Sequence, residues 1–301
     1  MRSRARGRSE APTLPAVATS RTRLALAVLR RLPLHALSRA AGHAAAWQLP
    51  GPLQRAEIRL FGAAVGIDFS EARDPISAYP SLQAFFTRAL RDGARPIEAA
   101  EDAVVAPCDG SWGAAGTVQR GELLQVKGRP YSLGALLGDA ALAGTFEGGG
   151  FATFYLSPRD YHRFHMPCRA RVLSAVHLPG SLWPVNRIGV EGVPGLFAEN
   201  ERIVTTFETR TGARFAIAAV GATLVGKVRV VFDDLCTGAG STPRARSYSE
   251  RALELAKGQE WGRFEFGSTL VLVASPAAFG LELAPPGTPL RLGRRIGTLP
   301  A

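Results

Sequence analysis

From residue 21 to 37 the apolar positions Leu24, Val28, Leu29 and Leu32 recur at roughly helical spacing. Arg23, Arg30 and Arg31 fall largely on other faces, and Pro33 interrupts the pattern. A second helical pattern runs through LQRAEIRLFGAAVGI (53–67), where Leu53, Ile58, Leu60 and Phe61 are apolar and Arg55, Glu57 and Arg59 polar. Both segments predict basic amphipathic helices. They can pack on the protein's own core, lie on an anionic membrane surface, or do both. Pro75, Pro80 and RDGARPIEAAED divide 74–102 into loops around one short helix, SLQAFFTRAL. Beyond residue 102 the pattern becomes strand-like. FATFYLS, ARVLSAVHL, ERIVTTFET, RFAIAAVGATLVGKVRVVF and GRFEFGSTLVLVA alternate with Gly, Pro and Asp turns. The expected fold class is α+β: a β-rich body of mostly antiparallel strands with N-terminal amphipathic helices.

A chain of 301 residues with 46% hydrophobic composition can bury a sizeable core. Its net charge of +11 suggests nucleic acid until the charge is located. Eleven arginines and two acids fall within residues 1–60, a surplus of nine, which leaves +2 on the other 241 residues. The positive field is therefore confined to the N-terminal portion, where it suits an anionic partner other than nucleic acid. Three cysteines, Cys108, Cys168 and Cys236, have no C-x-x-C spacing and argue against a disulfide framework. No run approaches the ~18 uncharged apolar residues of a membrane-spanning helix.

Three polar clusters sit at predicted strand edges: APCDG (106–110), YLSPRDYHRFHMPC (155–168) and FGST (266–269). Asp109 lies in a Pro-x-Asp-Gly turn, where an Asx interaction is the ordinary explanation. His162, His165 and Cys168 have H-x2-H-x2-C spacing, but a tetrahedral zinc site needs a further ligand and Pro167 restricts the backbone, so no metal is expected. Asp109, His165 and Ser268 supply the residue types of a nucleophilic triad, in which the imidazole takes the hydroxyl proton and the carboxylate orients the imidazole. A G-x-S-x-G elbow is absent. The glycine at 267 interrupts an apolar strand, which marks a bend or a close approach.

The segments AFFTRALRDGARPI, PCDG, VKGRPYSLGALLG, YLSPRDYHRFHMP, PGSLWPVN, LFAENERI, VGATLVGKV and KGQEWGRFEFGSTL occur in this order. In order and spacing they resemble the bacterial membrane-associated phosphatidylserine decarboxylases, over about Leu32 to Leu299. The resemblance implies a proenzyme that cuts itself at Gly267-Ser268 into a β chain, 1–267, and an α chain, 268–301. It implies that Ser268 attacks the Gly267 carbonyl, with His165 as base and Asp109 orienting it, and ends as a covalent pyruvoyl group. That cofactor would form a Schiff base with phosphatidylserine and release CO2 and phosphatidylethanolamine. His162 is a candidate for the decarboxylation step, and Tyr155 and Asn186 are candidates to line the substrate site. Cys108 departs from the family, which usually has a small residue there.

The resemblance further implies a homodimer and peripheral attachment to the cytoplasmic face of the cell membrane. The expected organisation is a basic tail over 1–31, a helical membrane-associating region over 32–100 and a β-rich catalytic domain over 101–301. Two other readings stand beside it. A catalytically silent lipid-binding protein would keep the fold without cleavage, and a serine hydrolase using Asp109, His165 and Ser268 would turn over esters as an uncut chain.

Overall fold

The first helical pattern divides at Pro33, whose missing N–H suits a helix start: α1 spans Ser20–Leu29 and α2 spans Leu34–Ala46, with Pro33 at the N-cap of α2. The computed structural model describes residues 20–125, 129–224, 227–238 and 240–300, so residues 1–19 of the expected tail lie outside the described residues. The second pattern folds as α3, Gly51–Val65, and stops at Gly66, which adopts the left-handed conformation that favours glycine (φ 82°). The short helix of the loop region is α4, Leu82–Phe86, capped by the Ser81 hydroxyl, which accepts from the Ala84 N–H at 3.1 Å.

These helices divide their apolar residues between packing and exposure. Leu26 of α1 is buried in the body and lies against Gly192. Ile58 of α3 joins Ile67, Tyr79 and Phe85 in a small cluster separate from the main core. Leu24, Val28, Trp47, Leu53 and Leu60 remain exposed. No helix among the described residues is long and apolar enough to cross a membrane.

The body is built on a nine-stranded antiparallel sheet. Its order runs 244–247, 170–178, 202–208, 214–220, 269–274, 150–155, 110–117 and 289–290, with 254–255 pairing alongside 170–178. Thr269–Ala274 is central and all six of its residues are buried. Leu270 and Leu272 enter one apolar layer with Phe154 and Ile217, while Val271 and Val273 enter the opposite layer with Phe151 and Ala218. Burial on both faces explains why this strand reads as a continuous apolar run rather than an alternating one.

Two runs that read as single strands are divided by the fold. GRFEFGSTLVLVA becomes Glu260–Phe264, which pairs with 228–230 and 163–165 in a three-stranded sheet, and Thr269–Ala274 in the large sheet. The chain crosses between sheets at 265–268. RFAIAAVGATLVGKVRVVF likewise contributes 214–220 to the large sheet and 228–230 to the small one. Periodicity reports which residues are apolar but not which sheet takes them, so the crossing was invisible to the pattern.

Candidate active site

Gly267 and Ser268 lie at the seam where the chain leaves the small sheet and enters the large one. Ser268 is almost wholly buried. Its hydroxyl donates to the Val220 carbonyl on the neighbouring strand, and its own carbonyl accepts from the Leu156 N–H at 2.8 Å. Gly267 needs space rather than an unusual φ. A Cβ there would stand 2.7 Å from His162 Nε2 and 3.2 Å from the Leu156 carbonyl oxygen. The interruption seen in the sequence is thus a close approach, by an imidazole on one side and backbone on the other.

His162 is fully buried, with its ring centroid 4.1 Å from that of Phe86. Its Nδ1 is 2.8 Å from the Asp160 carbonyl. A carbonyl can only accept, so the proton is on Nδ1 and Nε2 carries a bare lone pair. That Nε2 is buried without a hydrogen-bond partner and faces Gly267. Burial, with the positive charge of Arg88 adding to it, pushes the His162 pKa down to about 3 against the opposing bond to Asp160. The imidazole is a neutral base throughout the physiological range.

His165 is engaged at both nitrogens. Nδ1 donates to the Gly258 carbonyl at 2.8 Å, and Nε2 accepts from the Tyr161 hydroxyl at 3.2 Å. Burial lowers its pKa too, partly offset by the Gly258 bond. No hydrogen bond joins His165 to Ser268 or to Asp109 in the uncut chain. Asp109 is held instead by Arg95, whose Nε lies 2.9 Å from both carboxylate oxygens and whose Nη2 lies 2.6 Å from Oδ2. The Leu292 N–H adds a bond of 2.9 Å to Oδ1. Arg95 also forks onto Glu71 at 2.9 and 2.7 Å. Burial works against its charge, but the two carboxylates outweigh burial and raise its pKa. Asp109 reaches His165 through the backbone: its turn carries the Pro107 carbonyl, which accepts from the His165 N–H at 2.7 Å.

The remaining sequence candidates have definite places. Tyr155 lines a cavity beside Ser268, with its hydroxyl buried and without a partner. Asn186 lines the same cavity, but its side-chain oxygen caps the helix Arg187–Gly192 by accepting from the Ile188 N–H at 3.0 Å. Cys108 is fully buried among core residues, and burial pushes its thiol pKa well up, so it stays a neutral space-filling group beside Asp109. Among the described residues no three His, Cys, Asp or Glu side chains converge as a metal site.

The cavity has a volume of about 1180 Å³ and reaches from Gly267 and Ser268 to Phe61 and Val65 of α3 and Ala41, Ala44 and Ala45 of α2. Its size and mostly apolar walls suit a large ligand with an apolar portion. Arg95, Arg88, Phe86 and Tyr161 were not singled out by the sequence. Arg95 in RDGARPI has the look of an ordinary loop charge, and no spacing links it to Asp109 fourteen residues later.

The arrangement places one buried serine beside an apolar cavity in an α+β fold. Comparison with known proteins narrows the class. The family profile for phosphatidylserine decarboxylase matches residues 82–298. A phosphatidylserine decarboxylase proenzyme of Anaeromyxobacter sp. (strain K) is 45% identical over 280 residues, covering 91% of this chain and 98% of the relative. Proenzymes of the same name from Acidovorax ebreus (strain TPSY) and Myxococcus xanthus (strain DK1622) are 45% and 38% identical, covering 88% and 90% of this chain and 94% and 97% of the relatives. The chain belongs to the phosphatidylserine decarboxylase family.

Proposed function

We propose that this protein decarboxylates phosphatidylserine to phosphatidylethanolamine, using a pyruvoyl group that it makes from Ser268 by cutting itself at Gly267-Ser268. The observation that carries this reading is the bare Nε2 of His162 held against Gly267 next to a buried serine. Cleavage begins when the Ser268 hydroxyl leaves the Val220 carbonyl and attacks the Gly267 carbonyl carbon, giving an ester as the amide bond breaks. Loss of the Ser268 α-proton then expels the Gly267 carboxylate and leaves dehydroalanine. Water replaces the nitrogen, which departs as ammonia.

Of the two imidazoles, His162 is already placed and already neutral, so we assign it the proton transfers at this bond. His165 would first have to give up the Tyr161 hydroxyl that occupies its Nε2. We assign Asp109 and His165 to the same set as positioning groups, because the Asp109 turn fixes the backbone of the 163–165 strand that follows His162. The site fits the cofactor: Gly267 leaves the room a side chain would fill, and an unpartnered buried nitrogen lies against that residue. A pyruvoyl carbonyl supplies the electron sink that ordinary side chains lack. Tyr155 bounds the space beside it, and the α2–α3 wall of the cavity suits the acyl portion of a lipid.

Intact mass of the purified protein tests the cut. Chains of 1–267 and 268–301, the smaller with a blocked N-terminus, are expected; an active protein of one uncut chain would overturn the reading. Burial of Leu270, Val271, Leu272 and Val273, worth about 1.5–3 kcal/mol for each side chain, holds the new α chain in the sheet. The pH profile separates the two imidazoles. His162, with its pKa pushed down to about 3, stays unprotonated as pH falls from 8 to 5. The rate of precursor cleavage should therefore be flat over that range and fall only towards pH 3. A decline centred near pH 6.5, the ordinary histidine value, would remove His162 as the base.

The N-terminal region is proposed to hold the enzyme on the cytoplasmic face of the membrane. Its separate cluster around Ile58 and Phe85 supports a division near residue 100, and exposed Leu53 and Leu60 lie on α3, with exposed Trp47 just past the end of α2, the two helices that wall the cavity. Arginines beside such residues engage anionic headgroups while the apolar side chains insert shallowly. Leu53→Glu combined with Leu60→Glu should reduce co-sedimentation with anionic phospholipid vesicles; sedimentation equal to the native protein's would count against the docking face. A homodimer belongs to the same reading.

A further inference from the structure

We propose that the carboxylate created at Gly267 remains in the active site after cleavage as the counter-ion of His162, turning the base of the precursor into the acid of the mature enzyme. The inference rests on the self-cleavage reading above and concerns what becomes of the severed end.

Ordinary cleavage of a peptide leaves a carboxylate and an ammonium that can face one another. Here the nitrogen of residue 268 leaves as ammonia, so the carboxylate forms without the cation that usually accompanies it. A carboxylate taken out of water is costly unless it is paired and hydrogen-bonded. The side chain that faces Gly267 is His162, through a nitrogen that has no other partner in the precursor.

The two residues before Gly267 hold the severed end in place. Glu265 accepts from Arg229 Nε at 2.6 Å and from Gln83 Nε2 at 2.7 Å, and its N–H donates to the Lys227 carbonyl at 2.7 Å. Phe266 stacks on Phe86, with ring centroids 4.4 Å apart, and meets Phe61 edge-on. The other face of the matter is that Phe86 also contacts the His162 ring. None of these contacts involves the bond that breaks. They keep Gly267 beside the imidazole whether or not residue 268 is still attached.

The charges around His162 favour the exchange. Arg88 is buried, and its Nε and Nη1 have no partner; its remaining contacts are the Arg159 carbonyl at 3.4 Å and the face of Phe85. Glu71 and Asp109 attract its charge without forming an ion pair with it, and that charge helps to keep His162 neutral in the precursor. The carboxylate of Asp160 is engaged by the Ser157 N–H and hydroxyl, both at 2.7 Å, with Arg159 at 3.9 Å. Glu265 is committed to Arg229 and Gln83. A negative charge at Gly267 is then the new element in this field, and it stabilises the imidazolium and offsets Arg88. With Nδ1–H on the Asp160 carbonyl, the added proton goes to Nε2, the nitrogen that faces the reacting position. A proton is thereby stored where decarboxylation needs one, for delivery to the carbon that has lost CO2.

Histidine imidazole NMR titration tests the proposal without an activity assay. The samples are mature native protein, uncut Ser268→Ala and mature Phe266→Ala carried together with Glu265→Ala, in which the severed end has lost both of its anchors. Intact mass verifies each form, and nuclear Overhauser contacts with the Phe86 ring assign the His162 resonance. The His162 midpoint in the mature native protein should lie about one to three pH units above those of the other two samples. A cut native protein whose midpoint matches either sample would overturn the inference while leaving self-cleavage intact. An active protein that proves uncut would overturn both. Should Ser268→Ala fail to fold, the comparison with the double variant decides alone.

Discussion

Ser268→Ala is expected to yield one persistent 301-residue chain without decarboxylase activity. The methyl group retains the packing of a buried position and deletes only the oxygen that attacks Gly267. Loss is expected to be complete rather than partial, because the same oxygen is needed to open the backbone and no other route makes the electron sink. The variant should keep the fold: Thr269–Ala274 stays paired on both sides, and the lost bond to the Val220 carbonyl costs on the order of 1 kcal/mol. Mass spectrometry and a CO2-release assay check both halves. Normal turnover by the uncut variant would favour neither a pyruvoyl enzyme nor a serine hydrolase. Ester turnover by an uncut native chain, lost in Ser268→Ala, would instead revive the hydrolase reading.

Arg95→Ala is expected to destabilise the protein by about 3–5 kcal/mol, the range for breaking a buried ion pair by deleting one partner. Side-chain exposure is 10% for Arg95 and 8% for Asp109, so the abandoned carboxylate has little water to turn to. Glu71 is left as well, and its pKa is held down chiefly by its hydrogen bonds from Arg95. Its folded pKa lies below its unfolded one, so that contribution is present above the unfolded value and is lost as pH falls through the folded one. Arg95→Lys should recover only part of the stability, because an ammonium lacks the planar fork that spans both carboxylates. Chemical denaturation reads the change. A midpoint unmoved by Arg95→Ala would show that Asp109 is held by its turn and the Leu292 N–H alone. Loss of the clamp should also slow cleavage, since the Asp109 turn supports the strand next to His162.

The readable and unreadable parts of this site differ in a physical way. Pro33 marked a helix boundary because its backbone restriction is local. The interruption at Gly267 was legible as a bend or a close approach, and the structure shows the close approach, by an imidazole. The order Asp109, His165, Ser268 named residue types without their partners. Asp109 went to Arg95, and His162 rather than His165 came to lie against Gly267. Two histidines three residues apart, either side of the turn from loop to strand, cannot be ranked by chemistry alone, because both are imidazoles before burial and contacts distinguish them.

By itself the sequence determined the α+β class, the amphipathic N-terminal helices, the concentration of positive charge in the first 60 residues and the Gly-Ser step, all of which depend on neighbours along the chain. The tertiary structure decided the rest: the crossing between two sheets at 265–268, the cavity between α2, α3 and the large sheet, and the pairing of Gln83 with Glu265 and of Leu292 with Asp109 across 182 and 183 residues. Periodicity states which face of an element is apolar. Which side chain meets that face from elsewhere is settled only when the core packs, and the neutral imidazole beside Gly267 is a product of that packing.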